Sequence, residues 1–210
     1  DRESVDGLVA GADVVVHLAF IIMGDPEAAR DINLEGSRNV FEATVAAGAK
    51  RLVYTSSVAA YGFHEDNPQP LTEDVPTRGS EDFYYSAHKA ELERVLDETL
   101  AGTDVGAWVF RPCIVAGAGA PMLIETMVGS LPIYGQIRLA RRIADQVPFL
   151  GPILPDPGID FQLVHTEDVA HALLAAVEGK GEPGRYNLAG QGAMTIGYMA
   201  RALGWLSVPV

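Results

Sequence analysis

Cysteine and lysine are scarce in this 210-residue chain, which holds one of the former and three of the latter. The single cysteine, Cys113, excludes an intrachain disulfide and any cysteine-based zinc cluster, and it suits a reducing compartment such as the cytoplasm. Positive charge is short as well: 15 Lys+Arg stand against 28 Asp+Glu, a net charge of −13. That deficit argues against a nucleic-acid partner, which would require a basic face. No apolar run approaches the roughly 18–20 residues that span a bilayer, so no membrane partner is expected. With 48% hydrophobic and 20% charged residues, the composition is that of a folded chain. The first residue is Asp1, without a Met or a signal-peptide pattern. A buried strand follows almost at once, and this abrupt opening predicts that earlier elements precede Asp1.

What is present reads as alternating strands and helices. A Val-rich run over 13–20 predicts a strand buried on both faces. Asp25 as N-cap and Pro26 at the first helical position predict a long helix over 25–47, closed by Gly48. Residues 51–55 form a second strand, and the Pro-rich, acidic stretch 62–79 a loop. Ser80 is the expected cap of a helix over 81–101, and a third strand follows over 105–110. Residues 122–147 read as mixed and partly helical, and 148–158, with four prolines, as a loop. A strand over 160–165, a helix over 167–178 capped by Thr166, and a strand over 185–189 come next. Thr195 opens a last helical segment. Such alternation predicts an α/β fold with a mostly parallel, doubly wound sheet.

Tyr85 and Lys89 stand four residues apart on a predicted helix, so they share a face. A phenol with a reference pKa of about 10 becomes a useful base only if positive charge favours phenolate. Lys89 is placed to supply that charge. The bland alternative is an accidental surface pair. Ser57 lies just beyond the second strand, where parallel α/β sheets bind ligands. A hydroxyl there can hold a substrate oxygen next to the phenol, unless it only satisfies its own backbone. No G-x-S-x-G elbow is present, which argues against a serine hydrolase.

Taken in order, Asp13-Val-Val-Val-His-Leu-Ala19, Asn33-Leu-Glu-Gly36-Ser37, Tyr54-Thr-Ser-Ser57 through Tyr61-Gly62, Tyr85-Ser-Ala-His-Lys89, Arg111-Pro112 and Val164-His-Thr-Glu-Asp168-Val-Ala170 resemble one family. It is the extended short-chain dehydrogenase/reductase group, also called the NAD-dependent epimerase/dehydratase family. The resemblance implies a Rossmann-like fold that binds NAD or NADP. It makes Tyr85 the acid/base, Lys89 the residue that lowers its pKa and holds the nicotinamide ribose, and Ser57 the substrate-orienting hydroxyl. Asn33 is similar to the helix Asn that supports a proton relay. His17, Leu18, Ala19, Thr55, Ser56, Arg111, Pro112 and Cys113 fall where the family lines its cofactor.

Two departures stand out. The Gly-rich dinucleotide turn is missing, and Gly117-x-Gly119 and Gly190-x-Gly192 come too late to replace it. Val58 and Ala59 occupy the positions where dehydratases of the family carry an Asp-Glu pair, which weighs against sugar dehydration. The expected division is a Rossmann remainder over 1–115 and a mixed segment over 116–210 that contributes a substrate lobe together with returning strand and helix elements. No metal site is expected, because His64, His88, His165 and His171 lack a zinc spacing. The Met122, Leu123, Ile124, Met127, Val128 stripe reads as core, and Arg138, Arg141 and Arg142 as a solvated face.

The functional expectation is therefore hydride transfer between a nicotinamide and a hydroxyl or carbonyl substrate, such as a nucleotide-sugar or another small alcohol. A homodimer is the expected assembly. The competing readings are a non-catalytic dinucleotide-binding regulator on the same fold, and a piece inactive on its own.

Overall fold

The computed structural model of the chain describes residues 1–22, 25–117, 120, 153–202, 204 and 206–210. Gly119, the apolar stripe at 122–128 and the arginines at 138–142 lie outside the described residues. Packing divides the chain into two units. The first comprises Asp1–Cys113 and Val169–Leu188, and the second Ile114–Asp168 and Ala189–Val210.

In the first unit, β1 (Val14–His17), β2 (Arg51–Thr55), β3 (Gly106–Pro112) and β7 (Gly184–Leu188) form a sheet in the order β1-β2-β3-β7. Every pairing is parallel. Helices cover both faces. Leu52, Tyr54 and Val109 point to one face, against Val9 of α1 (Arg2–Val9), Phe41 and Ala43 of α3 (Gly36–Ala46), and Leu92, Val95 and Leu96 of α4 (Tyr84–Leu100). Val53, Trp108 and Phe110 point to the other, against Ala172, Leu173 and Ala176 of α5 (Thr166–Val177). This alternation follows from the period of two along a strand. Phe41, Leu52 and Leu92 are completely buried, and each such side chain contributes about 1.5–3 kcal/mol relative to exposure. The expected parallel α/β architecture is thus present.

Some local expectations need correction. The first strand is shorter than 13–20, and Val16 is 44% exposed. The apolar cluster on its face takes in Val14 and stops there. The helix over 25–47 is interrupted. Asp25 does cap α2 (Pro26–Arg30), accepting from the Glu27 N–H at 2.9 Å. A π turn over Asp31–Glu35 then separates α2 from α3. Ser80 caps no helix. Its hydroxyl accepts from the Phe63 N–H at 2.8 Å, and α4 begins at Tyr84 behind Phe83.

The second unit holds two parallel pairs, β4 (Ile114–Ala116) with β6 (Leu163–His165), and β5 (Ile153–Asp156) with β8 (Leu206–Pro209). Strand β5 lies in the stretch expected as a loop, and β8 follows the expected last helix, α6 (Ile196–Ala202). Thr195 does open that helix, accepting from the Tyr198 N–H at 3.1 Å. Among the described residues no helix is long and apolar enough to cross a membrane.

Candidate active site at the carboxyl end of the second strand

Three consecutive residues at the carboxyl end of β2 meet one face of α4. Thr55 offers its carbonyl oxygen to the Lys89 ammonium, Nζ to O 2.8 Å. The Ser56 hydroxyl donates to Glu93 Oε1 at 2.6 Å. Ser57 sits beside Tyr85, whose phenol its hydroxyl stabilises in the ionised form. Tyr85, Lys89 and Glu93 are spaced by four, so one helix face carries all three. Ser57 also caps a 3-10 turn, Val58–Tyr61, accepting from the Ala59 N–H at 3.1 Å. That contact fixes its rotamer. The structure thus brings Ser57, Tyr85 and Lys89 together.

The electrostatics of the group are set by burial. Lys89 is only 3% exposed, and desolvation pulls its pKa down to about 7, although Glu93 favours the charged form. Ammonium and amine therefore coexist near neutral pH. Burial raises the Tyr85 phenol, and the Ser57 hydroxyl opposes that shift without cancelling it. Burial outweighs the lowering that the resemblance assigns to Lys89, and the phenol stands above its ordinary value. Further positive charge beside the phenol would be needed to bring phenolate within reach.

Phe20 closes the group from the third side. Its ring lies 3.9 Å from Lys89 Nζ, a cation–π contact, and meets the Tyr85 ring edge-on at 5.3 Å. Phe83 tilts against Tyr85 at 5.6 Å. Neither phenylalanine was marked by the sequence. The signal for Phe20 was its place directly after His17-Leu18-Ala19.

The remaining candidates divide. His17 points into the unit's interior. Its Nε2 lies 2.8 Å from Ser37 Oγ, and its ring stacks on Tyr54 at 5.7 Å. Desolvation pushes its pKa down to about 4, helped by Lys89. Leu18 and Ala19 are exposed. Asn33 lies in the π turn with both ends of its amide used on Ile21: Nδ2 donates to the carbonyl at 2.9 Å, and Oδ1 accepts from the N–H at 2.8 Å. Its side chain anchors the segment after β1. Arg111 is 2% exposed, and its guanidinium is spent on protein partners. Nε and Nη2 grip Glu93 at 3.0 and 2.6 Å, and Nη1 donates to the Tyr61 hydroxyl at 2.7 Å. Pro112 is buried, and the Cys113 N–H donates to the Leu188 carbonyl at 2.9 Å.

Sequence reading missed Glu93. It is 2% exposed and accepts from Ser56, Arg111 and, at 3.2 Å, Arg185. The signal was its position four residues beyond Lys89, which continues the Tyr85–Lys89 spacing.

The residues fit a nicotinamide dinucleotide. The group lies beyond the carboxyl ends of parallel strands, where such sheets bind ligands. Thr55 Oγ1 is buried there with no hydrogen-bond partner among the described residues. Lys89 carries three donors, of which Thr55 takes one. Also among the described residues, no three His, Cys, Asp or Glu side chains are grouped to hold a metal ion.

Known proteins share this arrangement of chain. UDP-glucose 4-epimerase of Streptomyces lividans is 32% identical over 184 residues, covering 84% of this chain and 54% of that protein. The 3 beta-hydroxysteroid dehydrogenase type 7 of Homo sapiens is 40% identical over 104 residues, 46% of this chain and 26% of that protein. The chain spans about half or less of the length of these relatives. In fold it is similar to a short-chain dehydrogenase/reductase superfamily protein of Agrobacterium tumefaciens, crystallised with NAD. The TM-score is 0.75 at 20% identity, over 100% of this chain and 71% of that one. The family model for NAD dependent epimerases and dehydratases matches residues 1–189, and the chain belongs to that family.

Proposed function

We propose that the protein transfers hydride between a nicotinamide and a hydroxyl or carbonyl substrate, with Tyr85 as the acid/base. The observation that carries this reading is the convergence of Tyr85, Ser57 and Lys89 at the end of β2. Bound NAD or NADP would supply the hydride acceptor or donor, together with positive charge on its oxidised ring. That charge is what the Tyr85 phenol lacks while burial holds its pKa up.

The chain's own groups divide the remaining work. The Tyr85 oxygen takes the proton of a substrate hydroxyl in oxidation and returns it to the carbonyl oxygen in reduction. Ser57 holds that same oxygen by a hydrogen bond. Lys89, fixed by Thr55, offers its remaining donors to the ribose. Phe20 and Phe83 pack against the Tyr85 ring and fix its position. Asn33 acts at one remove, by anchoring Ile21 and so the segment that carries Phe20. Relatives that act on a UDP-sugar and on a 3β-hydroxysteroid both fit this chemistry, since each name implies a secondary alcohol.

The test is Tyr85→Phe in the protein as its gene encodes it, assayed for NAD(P)-dependent turnover of a UDP-hexose and a 3β-hydroxysterol. Turnover should fall by about 10²- to 10⁴-fold, with NAD(H) affinity, read by nicotinamide fluorescence, within about threefold. Undiminished turnover overturns the role of Tyr85. Dinucleotide binding with no turnover by the parent protein would favour a regulator on the same fold.

A further inference from the structure

The contacts between β2 and α4 form three rungs, and the proposed chemistry uses only two. Tyr85 meets Ser57 and Lys89 meets Thr55. The third rung, Ser56 to Glu93, is buried and lies between the other two along the chain at the end of β2. Glu93 is also the meeting point of β3, through Arg111, and of β7, through Arg185. A buried carboxylate is costly unless paired and hydrogen-bonded, and here it is both.

We infer that Glu93 is a positioning residue for the proposed reaction: through Ser56, Arg111 and Arg185 it ties the segment at the end of β2, β3 and β7 to the face of α4 that carries Tyr85 and Lys89. The assignment rests on the hydride-transfer reading of Tyr85, Ser57 and Lys89. Two observations support it. Ser56 sits directly between the residues that meet Lys89 and Tyr85, its N–H held by the Phe110 carbonyl at 2.7 Å and its hydroxyl by Glu93 at 2.6 Å, so the Glu93 bond ties this point of the chain to α4. Glu93 also favours the ammonium form of Lys89 against the desolvation that disfavours it.

The charged and titratable surroundings are few. Glu93 faces Tyr54 from β2, Arg111 from β3, Arg185 from β7, and Lys89 on its own helix. Lys89 is approached by Tyr54 from β2, His17 from β1, Phe20 from the segment after β1, and Tyr85 and Glu93 from α4. His17 is neutral above about pH 4, and Glu93 is the only carboxylate among these neighbours.

The test reads Lys89 directly. The chain has only three lysines, Lys50, Lys89 and Lys180, so ¹³Cε-labelled lysine gives three NMR signals, assigned with Lys50→Arg and Lys180→Arg. In Glu93→Gln the Lys89 midpoint should fall by about one pH unit, and in Glu93→Asp it should return most of the way. Should Glu93→Gln unfold the chain by stranding Arg111, the double variant Glu93→Gln/Arg111→Met removes both charges, and the Lys89 midpoint should fall by less, because the Arg111 cation leaves with the carboxylate. A folded variant whose Lys89 titrates as in the parent protein would overturn the proposal. A merely structural Glu93 would lower the melting temperature and leave that midpoint in place. If the parent protein shows no nicotinamide-dependent turnover at all, the hydride-transfer reading fails, while the Lys89 titration still reports on Glu93.

Discussion

His17 shows how a residue's neighbours reassign it. Its place at the end of a strand, before Leu18 and Ala19, suggested a cofactor wall. Its ring instead packs between Tyr54 and Phe41 and holds Ser37. Desolvation lowers its pKa from 6.5 to about 4. Between those values the unfolded chain binds a proton on His17 that the folded chain does not, so stability falls as pH drops through that window. From pH 7 to pH 5 the loss is about 2 kcal/mol. Urea unfolding at the two pH values should show it, and His17→Gln should remove most of the difference. Equal pH dependence in parent and variant would refute the assignment. Spacing made Tyr85 and Lys89 legible, because a helix period is a property of the local chain. It could not show which way Asn33, Arg111 or His17 turns, because those directions are set by partners far away in sequence.

The elements tell a similar story at larger scale. Strands β2, β3 and β7 and helices α4 and α5 stand close to where periodicity puts them, while the expected single helix over 25–47 is divided and the expected Ser80 cap is absent. The misses share a cause. Strand β5 contains Pro155, and it exists because β8 pairs with it from about fifty residues away. The π turn exists where Asn33 is tied to Ile21, a contact no local pattern announces. The turn after Ser57 ends at a glycine with no room for a side chain. Gly62 has φ +82°, and a Cβ there would collide with the Gly79 carbonyl oxygen and the His64 ring. Gly62→Ala should therefore cost about 2 kcal/mol or more. Gly48, with φ +67° and open space around it, should cost about 1 kcal/mol as Ala. Thermal melts of the two variants would check the order, and an equal cost would show that the collision does not matter.

For the whole first unit, the decisive tie is ionic. Arg111 and Glu93 are each 2% exposed and join β3 to α4, while Arg185 brings in β7. Arg111→Met strands the Glu93 carboxylate and should cost about 3–5 kcal/mol. The double variant with Glu93→Gln should recover much of that in denaturant unfolding. Equal losses in the single and double variants would mean that packing, not charge, is at stake. None of this was visible in composition, since a net charge of −13 does not say which charges are buried.

The order of the strands has a consequence in time. Strand β3 lies in the middle of the sheet, yet its neighbour β7 arrives about seventy residues later, after part of the second unit. At a synthesis rate of about 5–20 residues per second, that delay is about 4–15 s. During it, Trp108 and Phe110 on the nascent chain await both the strand beside them and the helix α5 above them. A ribosome making this protein therefore holds an open apolar sheet edge for seconds, long enough for a chaperone to find it.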